Sequence, residues 1–299
     1  MSEMLRTPEA RFAALPGFDY APRYTDWRGL RIHYIDERPG QTGDGAHTFL
    51  CLHGEPTWSY LYRRMIPLFL ASGARVVAPD LPGFGRSDKP ADDAAYTFDF
   101  HRACLLELVE RLDLKNVTLV VQDWGGILGL TLPMEAPARY ARLLVMNTAL
   151  GTGDTPLTDG FIAWRAWVAK NPNLDCAKLM ARACPHLSAA EAAAYEAPFP
   201  EASYKGGVRR FPQLVPDAPD APGAALSRRA RDWWREAWRG DAFMAIGATD
   251  PVLGPEPMRA LHAHIRGCAA PWVHAQAGHF VQEWGEDVAR AALAHWTAA

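Results

Sequence analysis

Three short segments carry residues able to do chemistry. In VVQDWGG (Val120–Gly126) an apolar run stops at Gln122 and Asp123, and two glycines follow before the helix-like stretch ILGLTLPMEA. Further on, GATDPVLG holds Asp250 and QAGHF holds His279. A strand that breaks on glycines and restarts as a helix is the setting of a tight turn that lifts one side chain above a sheet. The common form of that turn reads G-x-S-x-G. Here Asp123 takes the serine position, Gly125 the last glycine, and Val121 stands where the first glycine is usual.

Asp in place of Ser changes the chemistry on offer. A carboxylate is ionised near neutral pH. It therefore needs no base to become a nucleophile, and it forms an ester with an alkyl carbon. Serine suits acyl transfer, whereas aspartate suits displacement at a saturated carbon bearing a leaving group. The bland alternative is that Asp123 caps the following helix. Likewise Asp250, before Pro251, has a reading as a turn residue, and His279 as an ordinary loop histidine. Their joint occurrence favours a working set, because a nucleophile, a carboxylate and a histidine each follow a separate apolar strand in that order.

The elements that must position these residues alternate between short apolar runs and helical patterns, which predicts a mostly parallel sheet with helices on both faces. Strands are expected at Thr48–Leu52, Arg75–Ala78, Val117–Gln122, Leu143–Met146, Phe243–Ile246 and Trp272–Ala275, with an amphipathic helix over Phe98–Leu112. A hairpin around Tyr24–Trp27 and Leu30–Ile35 is expected at an antiparallel edge. Between Leu150 and Ala225 strand signals vanish, and helix-like stretches such as Phe161–Ala169 and Ala189–Glu196 are separated by Pro-rich joints. The fold class is thus α/β, with a core over 1–150 and 226–299 and an inserted helical cap over 151–225. Such a cap would roof the carboxyl ends of the strands, where α/β proteins place their sites.

The 299 residues, 49% hydrophobic and 22% charged, suit a soluble globular chain with a large core. A net charge of −3 gives no reason to expect nucleic acid or an anionic membrane surface as partner. Cys51, Cys104, Cys176, Cys184 and Cys268 form no CxxC pair, so neither a disulfide framework nor a zinc site is indicated. Cys176 and Cys184 are close enough in sequence to bridge, but buried thiols are the preferred reading. No signal-peptide stretch and no run of about 18 apolar residues appear. A cytoplasmic monomer is the default expectation. The G-x-G at Gly83–Gly85 lacks the further glycine and the setting of a dinucleotide site.

With these residues in view, the sequence resembles the haloalkane dehalogenases, in particular the subgroup in which two tryptophans hold the halide. The matching segments are HGEPTWSYLYRRMIP (His53–Pro67), DLPGFGRSDKP (Asp80–Pro90), VVQDWGG, AIGATDPVLGP (Ala245–Pro255) and AGHFVQE (Ala277–Glu283), spanning the core from about Asp36 onward. HGEPTW together with QDWGG is highly specific, while DLPGFG says only that the fold is that of an α/β hydrolase. The resemblance implies Asp123 as nucleophile, His279 as the activator of water and Asp250 as its orienting partner. It implies an oxyanion hole from the main-chain N–H groups of Glu55 and Trp124, and the Trp124 indole as one halide donor. It implies a small-molecule haloalkane, water and halide as partners, and no metal, nucleotide or flavin.

A second halide donor follows by elimination within that resemblance. The other large subgroup has an Asn after the His-Gly pair, but Glu55 stands there and cannot donate when ionised. The segment DGFIAW looks like the cap helix of the family, which selects Trp164, with Trp167 as rival three residues on and packing as the alternative role for both. The substrate pocket is expected to be apolar, with Ile127, Phe161 and Val252 among its walls. The rival enzyme is an epoxide hydrolase, which uses the same acid–histidine set and cap tyrosines, for which Tyr195 and Tyr204 are available. An Arg beside the nucleophile would suit haloacids, and Trp124 sits there instead. An inactive ligand-binding relative would be expected to have lost one of the three residues.

Overall fold

The computed structural model describes residues 3–40 and 47–298. Residues 1–2, where a signal-peptide stretch would begin, lie outside it, as do 41–46 and 299. The main sheet has eight strands. They are β1 (Arg23–Trp27), β2 (Leu30–Glu37), β3 (Thr48–Leu52), β4 (Arg75–Pro79), β5 (Val117–Val121), β6 (Tyr140–Met146), β7 (Asp241–Gly247) and β8 (Trp272–His274). Their spatial order is β8-β7-β6-β5-β3-β4-β2-β1. Neighbours from β8 to β4 are parallel, and β2 and β1 close one edge as an antiparallel hairpin. The fold is that of an α/β hydrolase, as expected, and the predicted strands differ from the observed ones only at their ends.

Strands β3 (TFLCL) and β5 (VTLVV) are buried at every position. Helices cover both faces of a central parallel sheet, so its strands need apolar side chains on both sides rather than alternation. The chain leaves β3 in one direction to build β4 and returns to build β5 on the other flank. The register pairs Leu52 with Val121, so both strands end level. The two turns that follow, His53-Gly54-Glu55 and Gln122-Asp123, therefore emerge side by side at the point where the strand order reverses. That is where open α/β sheets leave a crevice.

Between β6 and β7 lie helices at Asp159–Lys170, Cys176–Ala183, Ala189–Ala194, Gly206–Leu214 and Ala224–Glu236. Their starts are written locally. Thr158, Asp175 and Ser188 each accept an N–H from the first turn of the helix they precede, and Ser188 with Glu191 forms a capping box. The expected boundary near 225 falls at the start of the last of these helices, which docks on the core by donating the Trp234 indole N–H to Leu130 O at 2.7 Å. Arg63, buried in the core, pairs with Glu283 at 2.7 Å and with Glu191 of the helix Ala189–Ala194 at 3.1 Å. Removing one partner of such a buried pair costs about 3–5 kcal/mol, so this network tethers the inserted helices to the core. All five cysteines are free, and four of them are buried. No described helix is long and apolar enough to cross a membrane.

Candidate active site

Asp123 has φ +49° and ψ −127°, a conformation rarely adopted by a residue with a side chain. Strain of this kind costs on the order of 1–3 kcal/mol and persists only where neighbours over-determine it. They do so here. The Asp123 N–H donates to Asn147 O at 3.0 Å, and its carbonyl accepts from Gly126 N, Ile127 N and Thr148 Oγ1. Gly125 follows because the helix passes directly over β3: a Cβ there would lie 2.0 Å from Leu52 O. Although Asp123 stands at the N-cap of the helix Trp124–Gly129, its side chain caps nothing. Instead Oδ1 accepts the Glu55 main-chain N–H at 2.7 Å. Gly54 is required for that approach, since a Cβ there would meet Oδ1 at 2.3 Å.

Asp250 and His279 arrive from the loops after β7 and β8. His279 Nδ1 lies 2.8 Å from Asp250 Oδ2, and its Nε2 lies 3.5 Å from Asp123 Oδ2. Asp250 also accepts Asn147 Nδ2 at 2.9 Å and the Val252 N–H at 2.8 Å. Burial alone would raise its pKa, but His279 and these donors outweigh that and hold it at about 2. For His279 the balance runs the other way. Burial disfavours the imidazolium, yet Asp250 and then Asp123 override it and push the pKa well above the usual histidine value.

The three residues sit on the wall of a cavity of about 1150 Å³ that also exposes Trp124, Phe161, Trp164 and Val252. Ile127 is not on that wall. One turn into the helix, it faces the core and is 4% exposed. Trp124 is buried and tilted against Phe211, with ring centres 4.6 Å apart. Trp164 and Trp167 stack on each other at 5.4 Å and both border the cavity, but Trp164 is half-buried while Trp167 is 44% exposed. Among the described residues, neither the Trp124 nor the Trp164 indole N–H has a protein acceptor.

Glu55 corrects a premise. The elimination of Glu55 as a donor assumed an ionised side chain. The residue is 5% exposed, its Oε1 has no hydrogen-bond partner among the described residues, and no basic group of the described chain pairs with it. Burial first and the Asp123 charge second push its pKa well above the ordinary carboxylate range. Such surroundings favour the neutral acid, whose O–H is a donor that the ionised form lacks. The choice of Trp164 therefore rests on its place in the cavity wall, not on elimination.

The tyrosines that would serve an epoxide hydrolase are elsewhere. Tyr195 is fully buried and donates its hydroxyl to Glu283, and neither it nor Tyr204 borders the cavity. Two residues escaped sequence reasoning. Asn147 follows β6 at the carboxyl end of a core strand, a position that itself points to the site. Gln122 sits inside the quoted motif, but its side-chain contacts with His279 are set by packing and leave no local signal.

A family model described as alpha/beta hydrolase fold matches residues 47–286. A haloalkane dehalogenase of Psychrobacter cryohalolentis is 43% identical over 96% of each chain. One of Mycobacterium marinum is 44% identical over 94% of this chain and 95% of that one. Among solved structures, haloalkane dehalogenase DpaA from Paraglaciecola agarilytica NO2, reported as tetrameric, is 50% identical, covers 98% of each chain and superposes with a TM-score of 0.94.

Proposed function

The chain belongs to the haloalkane dehalogenases on the α/β-hydrolase fold, and from that premise we propose that Asp123, His279 and Asp250 carry its reaction in two steps. It is a hydrolase acting on carbon–halide bonds, releasing an alcohol and halide.

In the first step Asp123 Oδ2 attacks the carbon from the side opposite the halogen. A C–O bond forms, the C–halogen bond breaks, and the halide leaves with the bonding pair. Oδ1 stays on the Glu55 N–H and becomes the ester carbonyl oxygen. A bare anion would be strongly disfavoured in an apolar cavity. The indole N–H groups of Trp124 and Trp164 stabilise it without transferring a proton, and they act on charge that grows in the transition state.

Esterification removes the Asp123 charge, one of the two carboxylates that favour imidazolium. The His279 pKa falls as a result, and the ring can take a proton from water as the oxygen attacks the ester carbonyl carbon. The negative charge of that intermediate develops on Oδ1, where the Glu55 donor already stands at 2.7 Å, with the Trp124 N–H as its companion. Loss of one such donor lowers the rate by roughly 100- to 1000-fold in comparable sites. Collapse breaks the bond between the carbonyl carbon and the alkyl oxygen, the imidazolium gives that oxygen its proton, and the acid left on Asp123 releases its own to solvent, so an alcohol leaves and the carboxylate is restored. Asp250 holds the ring and stabilises its cationic form. We assign the roofing role to the helices between Asp159 and Leu214, whose residues Phe161 and Trp164 supply the apolar cavity wall together with Val252.

The observation that carries this reading is the Asp123 carboxylate, capping no helix, with one oxygen on a main-chain N–H and the other facing His279 across the cavity. His279→Phe incubated with 1-bromobutane is expected to accumulate a butyl ester on Asp123, seen by intact-protein and peptide mass spectrometry. Steady turnover by that variant with no adduct would contradict the assignment. The proposed chemistry asks no residue of a second copy, and we take the monomer as the working state. Light scattering would reveal self-association of the kind reported for DpaA.

A further inference from the structure

Resting on the two-step reading above, we propose that Gln122 is a positioning residue that holds His279 in its base form for the second step. Gln122 is fully buried at the end of β5. Its Nε2 lies 3.0 Å from His279 Nε2 and 3.1 Å from His279 O. Its Oε1 accepts from Gln282 Nε2 at 3.4 Å. Gln282 is also fully buried, and it lies in the turn Val281–Trp284 just beyond the histidine.

These contacts decide which way the amide faces. Reversed, its oxygen would oppose the His279 carbonyl oxygen at 3.1 Å, and its nitrogen would face the Gln282 donor. The NH₂ group therefore points at His279, with one hydrogen for the main-chain carbonyl and one for ring Nε2. A donor aimed at Nε2 favours the neutral ring over the imidazolium that the carboxylates favour, and within the neutral ring it places the proton on Nδ1 against Asp250. That is the tautomer able to accept a proton from water.

The groups that face His279 pull in different directions. Asp250, after β7, and Asp123, after β5, favour imidazolium, while burial pushes Glu55, after β3, toward its neutral form. Gln122 acts against the two carboxylates. Once Asp123 is an ester, Asp250 alone opposes it, so the amide tips the ring toward the free base when water is needed. The incoming water takes over the lone pair at Nε2, while the amide keeps its anchor on the His279 carbonyl. Gln122 thus sets the pH at which the second step switches on.

The test is the pH profile of ester hydrolysis in single turnovers of the full chain with 1-bromobutane, the ester followed by quenched mass spectrometry. In Gln122→Met, which keeps the length and loses the donor, the rising limb is expected to move to a pH higher by about one. That corresponds to the roughly tenfold change in proton affinity made by one ordinary hydrogen bond. Gln122→Glu, which faces the ring with an acceptor, should move it further the same way. Gln282→Met, which leaves Gln122 in place but removes the group facing its oxygen together with a long contact to the Tyr62 hydroxyl, should move it in the same direction by less, and it serves if the first variants misfold. A limb at the wild-type pH in these variants, however slow the step, overturns the inference and leaves the two-step reading intact. Absence of any ester in wild type and variants alike overturns that reading itself.

Discussion

Asn147 Nδ2 donates to Asp250 Oδ2 at 2.9 Å, the same oxygen that faces His279 Nδ1 at 2.8 Å. Asn147 also spans to β7, accepting the Gly247 N–H and donating to the Gly247 carbonyl. One amide thus ties the strand that ends beside Asp123 to the loop that carries the carboxylate behind the histidine.

Asn147→Ala should remove a hydrogen bond to a buried charge, lowering stability by about 1.5–3 kcal/mol at neutral pH. The sign of its pH dependence follows from Asp250, whose folded-state pKa of about 2 lies below the ordinary value near 4. Stability from such a group is full above its ordinary value and is lost as the pH falls through the folded one. The cost of Asn147→Ala should therefore shrink between about pH 4 and pH 2. Urea unfolding of both proteins across that range checks it, and a pH-independent cost would place the role of Asn147 elsewhere.

Trp164→Phe should weaken bromide and chloride binding, read by quenching of the remaining indole fluorescence. A hydrogen bond to an ion contributes about 1.5–3 kcal/mol, so the dissociation constant should rise on the order of tenfold or more. Trp167→Phe, at the more exposed ring of the stacked pair, should change it far less. If the larger effect falls on Trp167, the other indole is the donor.

Glu55→Gln keeps the shape and removes the acid. The Glu55 pKa is raised in the folded protein, so its stabilising contribution is present below the ordinary carboxylate value and is lost as pH rises toward the folded value. Above that ordinary value, the variant should gain in melting temperature relative to wild type as pH increases. A difference between the two that stays constant from pH 5 to pH 8 would mean that Glu55 titrates normally.

Much was legible in the sequence because its signals are local. Strand β5 needs apolar residues on both faces, the turn after it needs glycine at position 125 to pass Leu52, and the helix-like stretches Phe161–Ala169 and Ala189–Glu196 are set off by Pro-rich joints close by in sequence. The identities and order of Asp123, Asp250 and His279 follow from the same local grammar, since each sits where a strand gives way to a loop.

What the chain by itself determined, then, was the chemistry available and the scaffold that could hold it. Only the tertiary structure decided which groups share an environment. It turned Ile127 into the core, took Tyr195 away from the cavity onto Glu283, left Glu55 buried without a cation, and set Gln122 and Asn147 against partners more than 100 residues away. Protonation and hydrogen-bond direction depend on burial and on neighbours brought together by the sheet order, and no pattern along the chain encodes either.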